Sequence, residues 1–470
     1  MLALCAANAA YLAGLESAVP GGAVLVAGTG GPLVQMLRRA DHVATTIDEH
    51  PDMLRATDGS ALSAGVVLGA APIVELIEER GVDAVLPFKS GPRLWRMADF
   101  QGLRVLASPD KLTRQLENKL ALAEIADAAD ARIPDTVNIR LDAELAAAAA
   151  NDGIALPRVY QPAVGFAGAG TVLLRTAEDV AALVAQAPAS GGAGKLVEFV
   201  DGEPVTVNGV VIPPDTHGAG SEGEVLVGMV ARQLTGLAGL TPTDFGSCGN
   251  DWSKPPPREA VVAVRSLAHR IGEVLAQRGF AGAFGIDVML PTGGGVPVLI
   301  EINPRWTASL ALQVELQQAQ GMPTLLDAHL AAFAWRSDER TTLPELLAAY
   351  GPGEDAGCTR STSPVATVIA YNATDAPIHV NPEFEPGVWR VGGEDEAPTV
   401  ERLRDGWRIG DLRADDEVLI IPAGTARPLA PGAYLVRVVQ RGTAASDGRA
   451  RSLRPAVRAL MDEVVSRVTL

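Results

Sequence analysis

Residues Phe284–Ser309, FGIDVMLPTGGGVPVLIEINPRWTAS, decide the fold. Apolar residues alternate at Phe284, Ile286, Val288 and Leu290, stop at Gly293-Gly294-Gly295, and alternate again at Val298, Ile300 and Ile302. Alternation of period two on both sides of a glycine cluster predicts two antiparallel strands joined by a short loop. A loop centred on Gly294 sets Asp287 directly opposite Glu301, with Asn303 two residues on along the same face. The other face is apolar, and a slip of one residue would drive both carboxylates into the core, so the register has little freedom. Two facing carboxylates repel unless a cation lies between them. Asp, Glu and Asn present hard oxygen ligands only, which suit Mg²⁺ (or Mn²⁺) and leave positions for phosphate oxygens. Arg305, just past the second strand, adds a planar cation that matches phosphate or carboxylate. The competing reading is a solvated strand face carrying two unrelated acids.

Upstream, apolar runs at Ala23–Gly28, Val43–Ile47, Val66–Leu68, Ala84–Pro87 and Leu103–Ala107 alternate with helical patterns such as Ile73–Arg80. Such alternation predicts an open parallel α/β sheet over roughly residues 20–107. Gly28-x-Gly30-Gly31 is only part of a dinucleotide fingerprint, because Val34 stands where its last glycine belongs. Asp48 falls near the distance of a ribose-binding acid, but the partial match is weak support for NAD. Pro87–Arg93 leaves the C-terminal end of a strand, where such sheets bind ligands. Lys89 and Arg93 there suit a substrate carboxylate, and read equally well as solvated surface cations. Further on, Ala163–Thr171 is a glycine-rich turn between short strands. Glycines let backbone N–H groups close on phosphate oxygens, and the flanking strands make a flexible hairpin flap. The Gly-Lys-Ser/Thr of a Walker loop is absent.

Asp287, followed by Glu301-Ile302-Asn303-Pro304-Arg305, resembles the metal-binding signature of the ATP-grasp superfamily, and the resemblance extends over roughly residues 20–330. It implies that Asp287, Glu301 and Asn303 hold the ions bridging ATP phosphates, and that Arg305 steadies the reacting acyl-phosphate. Ile133-Pro134-Asp135 resembles the turn of that family that enters the flap, with Arg132 and Thr136 where Gly and Pro are usual. Lys119 matches a lysine that reaches the phosphates, and only five lysines accompany 34 arginines in this chain. The flap usually follows Lys-Pro; here Gln161-Pro162 replaces it, and an amide still hydrogen-bonds adenine or phosphate. Gly165, Gly168 and Gly170 would line the flap. Lys195–Glu203 resembles the segment that receives adenine, implying Glu198, Phe199 and Val200 as contacts and Asp201 or Glu203 for the ribose. Asn250, Asp251 and Trp252, between that segment and the metal hairpin, suit an acceptor pocket; the alternative is a capped turn.

The amphipathic helix Arg258–Arg278 reads as core scaffolding. Beyond Gly351–Ser363, short strands at Val365–Tyr371, Val388–Val391, Glu417–Ile421 and Tyr434–Val439 precede a helix, Pro455–Val468. The expected fold is thus a multidomain mix of α/β and α+β. It comprises a Rossmann-like N-terminal domain (1–107), an ATP-grasp fold (108–350, flap subdomain about 135–200) and a small β-rich C-terminal domain (351–470). That last part is open to three roles: completing the active site, forming a homodimer, or receiving a protein-sized substrate.

Composition narrows the function. The formal net charge of −17 and the lack of any Lys/Arg-rich run exclude a nucleic-acid surface. Cys5, Cys248 and Cys358 have neither zinc spacing nor an even count. No basic leader and no apolar run near 18 residues appears, so a cytoplasmic location without membrane partners is expected. The family resemblance implies ATP-dependent joining of a carboxylate to an amine (an amino acid or peptide), with release of ADP and phosphate. The C-terminal domain, Gln161 and Asn250–Trp252 together resemble stand-alone peptide ligases of specialised, antibiotic-type metabolism. A carboxylase, a purine-pathway type of ATP-grasp enzyme and a non-catalytic nucleotide-binding protein are the alternatives.

Overall fold

Three sheets organise the chain, seen here in a computed structural model that describes residues 1–50, 62–118, 121–151, 153–163, 170–187, 192–214, 216, 223–335, 341–351, 364–394, 397–425, 427–446 and 451–470. The first sheet is wholly parallel, in the order β3-β2-β1-β4-β5. Its strands are β1 (Leu2–Asn8), β2 (Ala23–Thr29), β3 (Val43–Thr46), β4 (Ala84–Pro87) and β5 (Arg104–Val105). The central strand β1 is an addition to the sequence reading. Its LALCAAN is buried on both faces, with Leu2, Leu4 and Ala6 in one core cluster and Ala3 and Cys5 in another. A strand covered on both sides shows no alternation. Val66–Leu68, expected as a strand, belongs instead to a helix, Ala64–Leu68. Gly65 there lies against the helix Pro92–Phe100, where an added Cβ would come within 2.6 Å of the Leu94 backbone nitrogen. Asp48 is a structural group: its Oδ2 accepts from the Gly30 N–H at 3.2 Å and so fixes the glycine turn.

The second sheet is antiparallel, in the order β6-β9-β7-β8, from β6 (Thr136–Arg140), β7 (Arg158–Pro162), β8 (Val172–Leu174) and β9 (Ala193–Glu198). Tyr160, Leu174 and Leu196 pack on one face with Leu145 and Val180 of two covering helices. Alternation then turns Val159, Gln161, Leu173, Lys195 and Val197 to the other face, toward a cleft.

The third sheet has ten strands, in the order β14-β13-β10-β11-β12-β15-β19-β18-β16-β17. Its first half comprises β10 (Gly202–Ile212), β11 (Glu224–Thr235), β12 (Ser247–Asp251), β13 (Gly282–Pro291) and β14 (Val298–Asn303). The helix Arg258–Gln277 packs beneath them through Val261, Val264, Leu267, Ile271 and Leu275. Burying each such side chain contributes about 1.5–3 kcal/mol. The second half comprises β15 (Val365–Tyr371), β16 (Gly387–Glu394), β17 (Ala397–Arg404), β18 (Glu417–Pro422) and β19 (Tyr434–Arg441). These C-terminal strands do not form a sheet of their own, because β15 pairs directly with β12. Asp251 fastens the join. Its Oδ1 accepts from Ser253 N–H at 2.9 Å and from the Ser253 hydroxyl, and its Oδ2 accepts from Thr443 Oγ1 (2.8 Å), Ala444 N (2.9 Å) and Ala445 N (3.2 Å). Among the described residues no helix is long and apolar enough to cross a membrane.

Candidate active site

The β13–β14 hairpin turns through Gly293, Gly294 and Gly295, whose φ values of 89°, 89° and 118° only glycine adopts without strain. Asp287 pairs with Glu301, Ile286 with Ile302 and Gly285 with Asn303, the register that the spacing predicts. A bulge then intervenes, since Val288 pairs with Leu299. The extra residue is Ile300. It leaves the buried face, where Leu299 replaces it beside Phe284, Ile286, Val288 and Ile302, and it lines the cleft. Bulges commonly re-aim a side chain next to a functional site.

Asn303 Nδ2 donates to Asp287 Oδ2 at 3.3 Å, and Gln233 Nε2 on β11 donates to Asp287 Oδ1 at 3.2 Å. Burial first, and the facing Glu301 second, push the Asp287 carboxyl up to about 6, against hydrogen bonds from Thr206 and Gln233 and the charge of Arg305. Two acids and an amide converge here; among the described residues no three His, Cys, Asp or Glu side chains gather. The oxygen donors and the carboxylate repulsion fit a hard divalent cation.

Arg305 is fixed from three sides. Its Nη2 donates to Asn303 Oδ1 at 2.9 Å, its Nε to Glu117 Oε1 at 3.1 Å and its Nη1 to the Trp306 carbonyl at 3.2 Å. Lys89 Nζ donates to the same Glu117 oxygen at 2.9 Å. Burial alone would raise the Glu117 carboxyl, but Arg305 and Lys89 hold it below its ordinary value. Lys89 is thereby drawn into the network of the β13–β14 hairpin through an acid the sequence reading had not singled out.

A cleft of about 520 Å³ separates the second sheet from the third. Gln161, Glu198, Phe199, Val200, Asp287 and Glu301 line it together. Gly170 lines a neighbouring cavity, and Lys119, Gly165 and Gly168 lie outside the described residues. Other candidate residues are placed off the cleft lining. Glu203 shares the face of Val205, away from the cleft, and pairs with Arg232 at 2.5 Å, whereas its neighbour Pro204 lines the cleft. Asp201 accepts from the Thr292 hydroxyl at 2.9 Å. Arg93 is exposed on a helix and lines no cavity described here. Asn250, Asp251 and Trp252 are buried, Trp252 in the core and Asp251 engaged by five donors at the join between strands. Conversely, Lys195, Gln233, Asp244 and Arg451 line the cleft without having been anticipated. Lys195 sits directly across from Gln161 in the β7–β9 ladder, and Arg451 lies 5.5 Å from the ring centre of Phe199.

A sequence profile described as the ATP-grasp domain matches residues 116–309. No curated protein matches the chain by sequence. Among solved structures, the biotin carboxylase domain of Hydrogenobacter thermophilus 2-oxoglutarate carboxylase, in complex with MgADP, ADP and bicarbonate, is similar over 94% of this chain and 86% of that one, at 12% identity and a TM-score of 0.56. N5-carboxyaminoimidazole synthase from Aspergillus clavatus, in complex with ADP and 5-aminoimidazole ribonucleotide, is similar over 99% and 98%, at 12% identity and a TM-score of 0.52. Phosphoribosylamine–glycine ligase from Thermotoga maritima is similar over 98% and 96%, at 13% identity and a TM-score of 0.52. Residues 116–309 thus match the ATP-grasp domain, within a chain that has the three-part ATP-grasp fold.

Proposed function

We propose that the chain is an ATP-dependent carboxylate–amine ligase that works through an acyl-phosphate. The observation that carries this reading is the facing pair Asp287–Glu301, with Asn303 and Arg305 beside it, on the wall of a cleft between two antiparallel sheets. ATP lies in that cleft, its adenine against Glu198–Val200 and its phosphates toward the hairpin, with Gln161 and Lys195 on the opposite sheet. Asp287, Glu301 and Asn303 would hold magnesium, which supplies charge neutralisation at the phosphoryl oxygens. A substrate carboxylate oxygen attacks the γ-phosphorus and the bond to ADP breaks. A neutral amine then attacks the acyl carbon, phosphate leaves, and the amine's surplus proton passes to water. Arg305, held in one orientation by Glu117 and Asn303, offers its guanidinium to the acyl-phosphate. The protein contributes position and charge and needs no nucleophile of its own.

Glu301→Gln tests this. It keeps the side chain's shape and removes one of the two facing charges. ADP formation with ATP, magnesium and mixtures of amino acids and short peptides should fall about 100-fold or more, with the melting temperature retained. Undiminished turnover would refute the metal assignment. ADP formation that requires bicarbonate and no amine would favour the carboxylating neighbours' chemistry, and ATP binding without ADP formation under any mixture would mark a non-catalytic nucleotide-binding protein.

A further inference from the structure

One residue of the cleft comes from far outside the stretch that matches the ATP-grasp domain. Every other described residue lining the cleft lies between Pro134 and Glu301; Arg451 belongs to the C-terminal part. Its placement is built into the join between the two halves of the third sheet. Asp251 Oδ2 holds Thr443, Ala444 and Ala445. Those residues carry a short antiparallel ladder: the Arg454 N–H donates to the Ala444 carbonyl at 2.9 Å, the Ser446 N–H donates to the Ser452 carbonyl at 2.9 Å, and Ala445 pairs with Leu453. Leu453 is buried in the core. Arg451 precedes this ladder by one residue, so the clamp on β12 also sets where Arg451 enters the cleft.

There the half-buried Arg451 sets its guanidinium carbon over the Phe199 ring, 5.5 Å from the centre. Among the described residues it makes no hydrogen bond and no ion pair, so its five N–H donors are uncommitted. Phe199 marks one end of the cleft. The connection 199–201 leads from β9 to β10, and its Asp201 accepts from Thr292 at the tip of the β13–β14 hairpin, where Gly202 pairs with Pro291. Pro291 is four residues beyond Asp287 on β13, about 13 Å along the strand. Arg451 is therefore remote from the Asp287–Glu301 pair and from phosphates gathered there.

We propose that Arg451 is a nucleotide-binding residue whose guanidinium stacks on the purine, so that the C-terminal part of the chain completes the base end of the cleft. The assignment rests on the reading that ATP lies in the cleft with its adenine against Glu198–Val200. A guanidinium is planar and weakly hydrated, and it stacks on aromatic faces. Phe199 already offers it one such face, and a purine seated beside Phe199 offers a second, larger one. Burying the cation between ring faces costs less than burying an ammonium, which is more strongly hydrated. Because residues 443–445 hang on Asp251, a nucleotide held by Arg451 is also tied to the strands beyond β12.

The test uses the full chain and titration calorimetry with MgATP, MgADP and AMP at about 0.15 M salt. Charges more than about 8 Å apart are largely screened there, so loss of a distant charge does not imitate loss of a stack. Arg451→Gln should weaken all three nucleotides by the same factor, about 5-fold or more, with the melting temperature retained, and Arg451→Lys should fall between. Hydrogen exchange gives a second reading. Saturating ADP should slow the Ser446 and Arg454 amides in the wild type and leave them unchanged in Arg451→Gln. Unchanged affinities, a loss that grows with the number of phosphates, or wild-type amides indifferent to ADP would overturn the assignment. Binding is read without turnover, so the two readings fail separately. A chain that shows this pattern but forms no ADP keeps Arg451 and loses the ligase reading; one whose Arg451→Gln variant binds like the wild type keeps the ligase reading and loses Arg451. A wild-type chain that binds none of the three nucleotides overturns both.

Discussion

Replacing Asp251 by Asn should destabilise the protein without any ligand present. The side chain is wholly buried, and its two oxygens accept five hydrogen bonds. An Asn amide can keep its oxygen toward Ser253 or toward Thr443–Ala445, but not both. Whichever way it turns, an NH₂ meets at least two donors, and at least one of them is a backbone N–H. Leaving a buried donor unsatisfied costs about 1–3 kcal/mol, and bonds to a charged acceptor are at the strong end. The loss comes to about 3–5 kcal/mol. Unfolding entropy of about 2 cal/mol/K per residue makes that a drop of about 3–5 °C for a chain of this length. Scanning calorimetry reads the drop, and hydrogen exchange should show earlier opening at the Ala444 and Ala445 amides. A variant that melts with the wild type and protects those amides equally would refute the clamp. If it also lost affinity for an amine substrate, the earlier reading of Asp251 as a ligand group would be restored.

Other predictions concern separate parts of the molecule. Burial pushes the Glu315 carboxyl up to about 8; the nearby Glu16 adds to the rise, while the Ile409 N–H, Arg437 and Arg408 oppose it. The folded state therefore holds that proton more tightly than the unfolded chain. This contribution to stability is complete below about pH 4.5 and is lost as pH rises through about 8, at up to about 1.4 kcal/mol per unit; Glu315→Gln should flatten the decline in melting temperature over that range. Lys195→Met should weaken ATP binding about 10-fold or more, as expected for loss of a charge-assisted bond, read by displacement of a fluorescent nucleotide; unchanged affinity would remove Lys195 from the site. Gly65→Ala sets a Cβ 2.6 Å from a backbone nitrogen and 2.9 Å from a backbone carbon of the neighbouring helix. Overpacking of that kind costs about 1–3 kcal/mol, so the urea midpoint should fall, and an unchanged midpoint would contradict the close approach.

The β13–β14 hairpin was legible because everything that defines it is local. One alternating pattern, one glycine turn and two acids set the register of Asp287 against Glu301. The bulge at Ile300 was not, since an unbroken apolar alternation reads the same with or without an extra residue. Distant pairing hid the rest. Asn250–Trp252 looked like a pocket because polar residues stood beside a Trp, but their partners are β15 and residues 443–445, more than 100 positions away. Lys195 acquires meaning only when β9 lies beside β7 and brings it opposite Gln161. Glu203 was misplaced for want of one fact, the face on which β10 presents its odd-numbered residues. Arg451 reaches the cleft from the far end of the chain, and no short-range pattern marks it.

The pairing of β12 with β15 has a practical consequence for anyone trimming the gene. Expression of residues 116–309 alone would leave β12 with a bare, unpaired edge and remove the acceptors and donors that hold Asp251's neighbourhood together. Open edges of that kind invite intermolecular strand addition. The matched stretch is thus shorter than the sheet it belongs to, and a fragment cut to it should precipitate where the longer polypeptide stays in solution.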